Sequence, residues 1–198
     1  MPNIYLVGVG GQGIITASKI IGDAATLAGE NVLLSETHGM AQRGGTVVCT
    51  ARIGDMRSPL IPAGEVDAIL SFELLETMRA ACEASHKTMV ISSSEKVVPL
   101  SASTQRLKYP SLEEVRGALL KIAQDLVVVD APKLAEEAGS RMSTNVVMVG
   151  ALAGSGRTGL SRSYFEKAVS MNVPAKLEEN LKAFSMGYEA TSTRPRMF

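Results

Sequence analysis

Six residues near the start of the chain restrict its fold more than any other segment. Residues 8–13 (GVGGQG) match the pattern G-x-G-x-x-G. The apolar run 3–9 (NIYLVGV) predicts a buried strand, and residues 12–28 carry apolar side chains at helical spacing. A glycine-rich turn between a strand and a helix is typical of α/β folds, because the free N–H groups of the helix can face an anion there.

The glycines of this turn have different expected roles. Gly8 permits the tight turn, Gly10 lets the backbone approach a ligand, and Gly13 allows close packing of helix and strand. In a nucleotide site an acidic residue follows about 20 positions later, and Glu36 lies near that place. Three interpretations follow: an NAD or FAD site, a turn with a purely structural role, and a site for a phosphate-bearing ligand shared with a partner subunit. The predicted ligand contacts within the turn are Gly8, Gly10, Gly11, Gln12 and Gly13.

The rest of the chain alternates between strand and helix patterns. We predict an α/β fold with a mostly parallel, Rossmann-like sheet, helices on both faces, and a single domain over 1–190 followed by a tail at 191–198. The first two strands should be parallel neighbours joined by a right-handed crossover. Ser71 is the expected cap of a helix over 72–82, and Glu73 should lie in its first turn. The further predicted strands cover 31–35, 46–53, 66–70, 87–92 and 126–130, and the further helices cover 111–124, with Ser111 and Glu114 as a capping box, 132–138, 145–153, 161–171 and 174–188.

Composition excludes several classes of function. The chain has 20 basic and 20 acidic residues without a run of like charge, so nucleic acid and membrane surfaces are not expected partners. Two cysteines, Cys49 and Cys82, cannot supply the four thiolates of an iron–sulfur cluster, and the two histidines show no zinc-ligand spacing. Apolar runs are shorter than the ~20 residues of a membrane span, and residues 1–3 show no basic segment or cleavage site, so we do not expect a signal peptide. We therefore expect a cytoplasmic protein with free thiols and no metal.

A more specific block follows the second strand. Residues 35–45 (SETHGMAQRGG), taken with GVGGQG, resemble the gamma-type domain of the 2-oxoacid:ferredoxin oxidoreductases, and the THGMAQRGG form is most similar to the small (beta or B) subunit of the indolepyruvate type. The resemblance runs from about residue 4 to residue 188. Further matching segments are 58–61 (SPLI), 67–70 (DAIL) with Phe72 and Glu73, Asn145 with Gly150 and Ala151, and 179–184 (ENLKAF) with Gly187 and Tyr188.

The resemblance implies a subunit of an enzyme complex that is inactive alone. Such a complex oxidatively decarboxylates an aryl-pyruvate, joins the product to coenzyme A and reduces ferredoxin. Thiamine diphosphate and iron–sulfur clusters would belong to the large partner subunit, and this chain would bind no cofactor by itself. It would pack against the thiamine-binding parts and shape the substrate or coenzyme A side of the site. Exposed apolar surface could drive self-association of the isolated chain.

Chemistry within the block is open to two kinds of interpretation. Arg43 can offer a fork of donors to a carboxylate or phosphate, or it can pair with Glu36. His38 can titrate near neutrality or order the loop, and Asn145 can pin its helix or contact a ligand. No nucleophile–base pair, HExxH motif or Walker lysine occurs, so no catalytic residue is predicted. The candidate binding residues of the block are Glu36, His38, Met40, which we expect to make an apolar contact, Gln42, Arg43, Gly44 and Gly45.

Two other functions remain open at this point. The first is a stand-alone NAD(P)- or FAD-dependent oxidoreductase, which requires Glu36 to reach a ribose. The second is a non-catalytic interaction module that uses the glycine turn to bind an anion. The chain is short for the first, because a separate substrate domain has little room in 198 residues.

Overall fold

The computed structural model describes residues 1–38, 45–97 and 109–193. Its strands are β1 (Asn3–Val9), β2 (Val32–His38), β3 (Thr46–Ile53), β4 (Ala68–Ser71), β5 (Met89–Ser93) and β6 (Asp125–Val129). Its helices are α1 (Ile14–Leu27), α2 (Leu74–Arg79), α3 (Leu112–Leu119), α4 (Ala131–Ala138), α5 (Thr144–Gly154), α6 (Arg162–Asn172) and α7 (Leu177–Ser192). Short 3₁₀ turns lie at Ala80–Glu83 and Arg141–Ser143.

The six strands form one sheet in the order β2-β3-β1-β4-β5-β6. Strands β1, β4, β5 and β6 pair in parallel, whereas β3 is antiparallel to both β1 and β2. The prediction of an α/β fold with a mostly parallel sheet is therefore confirmed.

The prediction that the first two strands are neighbours is wrong, because β3 lies between them. Strand β3 is eight residues long, and it pairs with β1 along one edge and with β2 along the other. Cys49 shows the consequence, since it lies opposite Leu6 on β1 and opposite Glu36 on β2. Strand β2 is thus two strand spacings from β1, about 9–10 Å.

Helices cover both faces of the sheet, as predicted. In the larger core, α1, α4, α5, α6 and α7 pack against one face of the sheet, where Ile4 and Leu6 of β1 are fully buried. The smaller core joins α2 and α3 to the opposite face around Val7 and Ile69. No helix in the described ranges is long and apolar enough to cross a membrane.

Helix α5 lies at the centre of the larger core, and every residue from Asn145 to Gly154 is buried. It crosses α7 at backbone contact distance. A Cβ atom added at Gly150 would lie 2.1 Å from the carbonyl oxygen of Phe184, and one added at Gly187 would lie 1.9 Å from that of Val147. The prediction of a buried helix here is confirmed, and glycine is what permits the close crossing.

The start of α2 differs from the prediction. Glu73, not Ser71, is the N-cap, and its side chain accepts a hydrogen bond from the backbone N–H of Glu76. Ser71 cannot take that role because it is the last residue of β4 and pairs with Ser92 of β5. Its hydroxyl donates instead to the Glu73 carbonyl oxygen at 3.0 Å.

Two other predicted boundaries have clear outcomes. The capping box of Ser111 and Glu114 is confirmed, since each side chain bonds to the backbone N–H of the other residue. Strand β2 continues to His38, three residues beyond its predicted end, because Glu36, Thr37 and His38 still pair with β3. Helix α7 extends to Ser192, and the domain limits at 190 and 191 stay predictions.

Candidate functional site

The candidate site lies at the carboxyl edge of the parallel strands. Strand β1 reaches this edge at Val9 and β4 at Ser71, and the antiparallel β3 starts there, with Thr46 opposite Val9. Open α/β sheets bind ligands at this edge. The glycine turn, the end of β2 at His38 and the start of β3 after Gly45 therefore lie at the same edge of the sheet.

The first glycine of the turn has a packing role. A Cβ atom at Gly8 would lie 2.8 Å from Oε1 of Gln12 and 2.9 Å from Cβ of Phe72. Gly8 therefore lets the end of β4 and the Gln12 side chain approach the turn.

Gly13 is crowded as well, but Gly11 is open. Gly13 is the N-cap of α1 with φ +77°, and a Cβ atom there would lie 2.7 Å from Nδ2 of Asn145. The predicted pinning role of Asn145 has support in that contact and in its donation to the Gly13 carbonyl oxygen at 3.5 Å. Gly11 has φ +104°, and no heavy atom of the described residues lies within 4 Å of an added Cβ. Gly11 thus combines a left-handed backbone with space that the described residues leave open.

The Gln12 side chain ties the turn to its surroundings. Its Oε1 accepts from the backbone N–H of Val9 at 2.8 Å, and its Nε2 donates to the Phe72 carbonyl oxygen and to the Glu95 carboxylate, both at 3.0 Å. Both amide hydrogens are thus used inside the protein. The predicted contact of Gln12 with a ligand would have to use the remaining acceptor site on Oε1.

The first turn of α1 forms the open part of the site. Within the described chain its N-cap makes no side-chain hydrogen bond, and the first turn contains no acidic residue. The first bond within the helix runs from Ala17 N to Gly13 O at 2.9 Å, which leaves the earlier N–H groups without helix acceptors. These groups and the helix dipole favour an anion. A cleft of about 290 Å³ lies here, lined by Gly11, Gly13, Ile14, Ile15, Thr16 and Val47.

Gly45, the last residue of the block 35–45, contacts the glycine turn directly. The backbone N–H of Gly10 donates to the Gly45 carbonyl oxygen at 2.9 Å. The predicted residues Met40, Gln42, Arg43 and Gly44 lie outside the described residues, as does the side chain of His38. The structure thus joins the two sequence features at their backbones, and the roles of those side chains stay predictions.

Glu36 occupies the wrong place for an ordinary dinucleotide site. In that site the acidic residue ends the strand next to the glycine turn. Here β3 separates β2 from β1, and Glu36 is exposed opposite Cys49, in the middle of the ladder. This topology disfavours the interpretation as an NAD or FAD site.

The two cysteines lie in different environments, one buried and one exposed. Cys49 is buried beneath α1, where burial, opposed by a hydrogen bond with Ser18, raises its pKa to about 11. Cys82 is exposed in the 3₁₀ turn after α2, and its thiol contacts the Arg79 carbonyl oxygen at 3.3 Å. They cannot act on one metal together, and the described residues contain no group of three or more His, Cys, Asp or Glu that could hold a metal ion.

The sequence did not reveal a buried carboxylate at the same edge. Glu73 is fully buried, and its Oε1 accepts from the backbone N–H of Val97 at 3.0 Å and from the Tyr109 hydroxyl. Its Oε2 accepts from the backbone N–H of Glu76 at 2.9 Å. Burial and the Glu73 carboxylate raise the pKa of Tyr109 well above its usual value, so this phenol stays neutral. These donors lie up to 36 positions from Glu73 along the chain, and no local pattern announces them.

Comparisons with known proteins agree with the fold. The family model described as pyruvate ferredoxin/flavodoxin oxidoreductase matches residues 3–190. Indolepyruvate oxidoreductase subunit IorB of Archaeoglobus fulgidus is 45% identical over 195 residues, which cover 98% of this chain and 97% of the relative. The protein of the same name from Methanothermobacter thermautotrophicus is 40% identical, over 96% and 97% of the two chains. In fold alone, the chain is similar to a solved 2-oxoglutarate:ferredoxin oxidoreductase from Magnetococcus marinus, with a TM-score of 0.77 and 19% identity over 99% of this chain and 32% of the other.

Proposed function

The chain belongs to the pyruvate ferredoxin/flavodoxin oxidoreductase family and is a small subunit of a 2-oxoacid:ferredoxin oxidoreductase, and from this premise we propose that its complex acts on indolepyruvate or another aryl-pyruvate. The proposed reaction releases carbon dioxide from the oxoacid and joins the remaining acyl group to the sulfur of coenzyme A. Two electrons pass to ferredoxin. This subunit supplies part of the surface that faces the substrate or coenzyme A.

One observation carries the choice of substrate class. The relatives named indolepyruvate oxidoreductase subunit IorB match almost the whole chain at 45% and 40% identity, whereas a common gamma subunit of pyruvate and ketoisovalerate oxidoreductases from Pyrococcus furiosus matches at 30%. The aryl-pyruvate proposal follows the higher similarity.

The chemistry of the chain supports a division of labour between subunits. An iron–sulfur cluster needs four thiolates, and this chain has two cysteines, Cys49 in the larger core and Cys82 exposed after α2. We therefore assign the clusters and thiamine diphosphate to the large partner subunit, which passes electrons to ferredoxin. Cytoplasmic location fits a complex whose small subunit exposes the free thiol of Cys82.

The open turn of α1 supports a contact with coenzyme A. Free N–H groups and the helix dipole suit the phosphates of that molecule better than the apolar side chain of an aryl-pyruvate. The solved 2-oxoglutarate:ferredoxin oxidoreductase of similar fold contains coenzyme A and succinyl-CoA. The candidate contacts are Gly8, Gly10, Gly11, Gln12 and Gly13 in the turn, and Glu36, His38, Met40, Gln42, Arg43, Gly44 and Gly45 in the block.

Anaerobic co-purification tests this proposal. The tagged chain, expressed in its native host, should recover a large iron–sulfur subunit. The eluate should reduce a dye only when indolepyruvate, coenzyme A and thiamine diphosphate are all present. Removal of the small subunit should abolish the activity, and adding it back should restore it. Comparison of kcat/KM for indolepyruvate, phenylpyruvate and a branched-chain 2-oxoacid then tests the substrate class. A chain that purifies alone and binds NADH or FAD tightly would contradict the proposal.

A further inference from the structure

Glu76 and Arg79 form an ion pair that the roles described so far do not use. The Glu76 side chain is only 3% exposed, and its Oε1 lies 2.6 Å from Nη1 of Arg79, whose side chain is 55% exposed. The other carboxylate oxygen, Oε2, is buried and has no hydrogen-bond partner among the described residues. The pair therefore has one partner held in the interior and one at the surface.

The pair is poorly suited to a purely stabilising role. Moving a carboxylate out of water is costly, and an ion pair offsets this only when the remaining lone pairs also find donors. Here one oxygen of Glu76 has no donor in the described chain. A buried acid that is fixed by its surroundings can, however, hold an arginine in one orientation, since the guanidinium is planar and its donors are directional.

Glu76 is fixed by the element that carries it. Its backbone N–H donates to the buried Glu73 carboxylate at 2.9 Å, so the carboxylate of Glu76 projects from an anchored first turn of α2. Arg79 follows one turn later on the same face of the helix. Helical side chains lean towards the helix N-terminus, and α2 begins at the carboxyl edge of the sheet. The guanidinium is thereby directed back to that edge.

The Arg79 guanidinium reaches the carboxyl edge of the sheet next to the end of the block 35–45. Its Nη1 lies 3.4 Å from Oγ1 of Thr46, the first residue of β3. Thr46 follows Gly45, whose carbonyl oxygen accepts a hydrogen bond from the Gly10 N–H. The Thr46 side chain faces the opposite side of the sheet from Val47, which lines the cleft at the start of α1. Arg79 and the α1 N-terminus therefore flank the same strand ends from opposite faces.

We propose that Arg79 binds an oxyanion at the carboxyl edge of the sheet, either a phosphate of coenzyme A or the carboxylate of the 2-oxoacid, and that buried Glu76 is the positioning residue of its guanidinium. This inference rests on the proposed function, because both anions belong to substrates of the complex. Glu76 and Thr46 engage Nη1, and the exposed part of the guanidinium offers its other donors as a fork to the anion.

Kinetics of the assembled complex tests the proposal, with four variants of this chain. Arg79→Met keeps the aliphatic stem and removes the charge, Arg79→Lys keeps the charge without the fork, and Glu76→Gln keeps the shape of the positioning residue. Arg116→Met is the matched control, because Arg116 is also an exposed arginine in the last turn of a short helix. KM and kcat are measured separately for the 2-oxoacid and for coenzyme A.

We expect Arg79→Met to raise one KM by about tenfold or more, as loss of a charge-assisted hydrogen bond does, with little change in kcat. Arg79→Lys and Glu76→Gln should raise the same KM by less, with assembly and melting temperature retained, and Arg116→Met should raise neither. A rise for coenzyme A alone identifies the phosphate, and a rise for the oxoacid alone identifies the carboxylate. Unchanged KM values in assembled Arg79 variants would overturn the proposal. Weaker assembly, with a normal KM in the complex that still forms, would also overturn it and would make Arg79 a partner contact. If Glu76→Gln does not fold, the Arg79 variants decide.

A second measurement separates this inference from the proposed function. If the wild-type complex shows no 2-oxoacid activity, the isolated chain is titrated with inorganic pyrophosphate and, separately, with pyruvate. The side-chain Nε–H resonance of Arg79, assigned by its loss in Arg79→Met, should shift saturably with one of them. Absence of a shift with both probes would refute the anion site.

Discussion

Glycine is used for different purposes at two crowded places in this protein, the crossing of α5 with α7 and the turn after β1. At the crossing, the atoms that exclude a side chain are backbone carbonyl oxygens, 2.1 Å from an added Cβ at Gly150 and 1.9 Å at Gly187. Backbone atoms of two packed helices can move aside only if the helices separate. Glycine there serves the stability of the core.

The turn has a different constraint. The atoms that crowd Gly8 and Gly13 belong mostly to the side chains of Gln12 and Asn145. At Gly11 no heavy atom of the described residues lies within 4 Å of an added Cβ. At Gly11 the obstacle is the backbone conformation itself, with φ +104°. Glycine in the turn therefore shapes an edge that stays open, and substitutions there should affect function more than folding.

The largest effect on stability is expected at the crossing. Gly187→Ala should lower the free energy of unfolding by about 3 kcal/mol, the upper range for overpacking, because the new methyl group meets the backbone of α5. Urea unfolding of the isolated chain measures it. Gly117→Ala in α3 is the matched control, since nothing lies within 4 Å of its added Cβ, and it should stabilise by about 0.5–1 kcal/mol. An unchanged urea midpoint for Gly187→Ala would contradict the close crossing.

The next largest effect is expected at Gln12, whose side chain hydrogen-bonds the glycine turn to its surroundings. Gln12→Ala removes three hydrogen bonds and should cost about 2 kcal/mol, measured by the same unfolding experiment.

Gln12→Glu sharpens this test, because it places a second carboxylate against Glu95. Two facing carboxylates repel each other in the folded state, so this variant should lose stability as the pH rises above about 4, where the carboxyls of the unfolded chain ionise. An effect independent of pH would show that Gln12 and Glu95 are not in contact.

A substitution at Gly11 can distinguish an effect on stability from an effect on coenzyme A binding. Gly11→Ala should cost about 1–2 kcal/mol, since an L-residue is disfavoured at its positive φ. Gly29→Ala is the control, because Gly29 has φ +79° and equally open space but lies at the other end of α1. Both variants should lose similar stability, whereas only Gly11→Ala should raise the KM for coenzyme A in the assembled complex. Equal kinetic effects from the two variants would remove Gly11 from the site.

The smallest effect on stability is expected from a charge at the open turn. Ile15 is 40% exposed in the first turn of α1, and Ile15→Glu should stabilise the helix by about 0.3–1 kcal/mol through the dipole. It should nevertheless raise the KM for coenzyme A several-fold by repelling the phosphates. Ile122→Glu, from a residue 42% exposed, is the control and should leave that KM unchanged. A normal KM for Ile15→Glu would argue against an anion at this helix end.

Much of the local structure could be predicted from the sequence. The limits of β1 and β3 agree with the prediction to the residue, because glycines follow β1 and flank β3 on both sides. The capping box at Ser111 and the buried α5 were also correct, since both depend on patterns within a few positions. The hydrogen bond from the Gly10 N–H to the Gly45 carbonyl oxygen places the glycine turn next to the end of the block 35–45, and the ligand contacts predicted for both segments stay predictions.

Errors arose where distant segments compete. The alternation in β3 identifies a strand but does not say which strands it joins, so its insertion between β1 and β2 was missed. Its position before a helix pattern predicts Ser71 as a cap. Ser71 is instead the last residue of β4, where it pairs with Ser92 of β5. The Glu73 and Glu76 carboxylates were not recognised as buried, because their environment comes from strands and loops far away in the chain.

The amino-acid sequence is sufficient to assign the class of fold and the family, because turn chemistry, helix periodicity and a distinctive block of residues are local properties. The strand order, the contact between α5 and α7, and the placement of Arg79 beside Thr46 become known only from the folded chain. These depend on which surfaces exclude water together, and that choice is made by the packing of the whole chain.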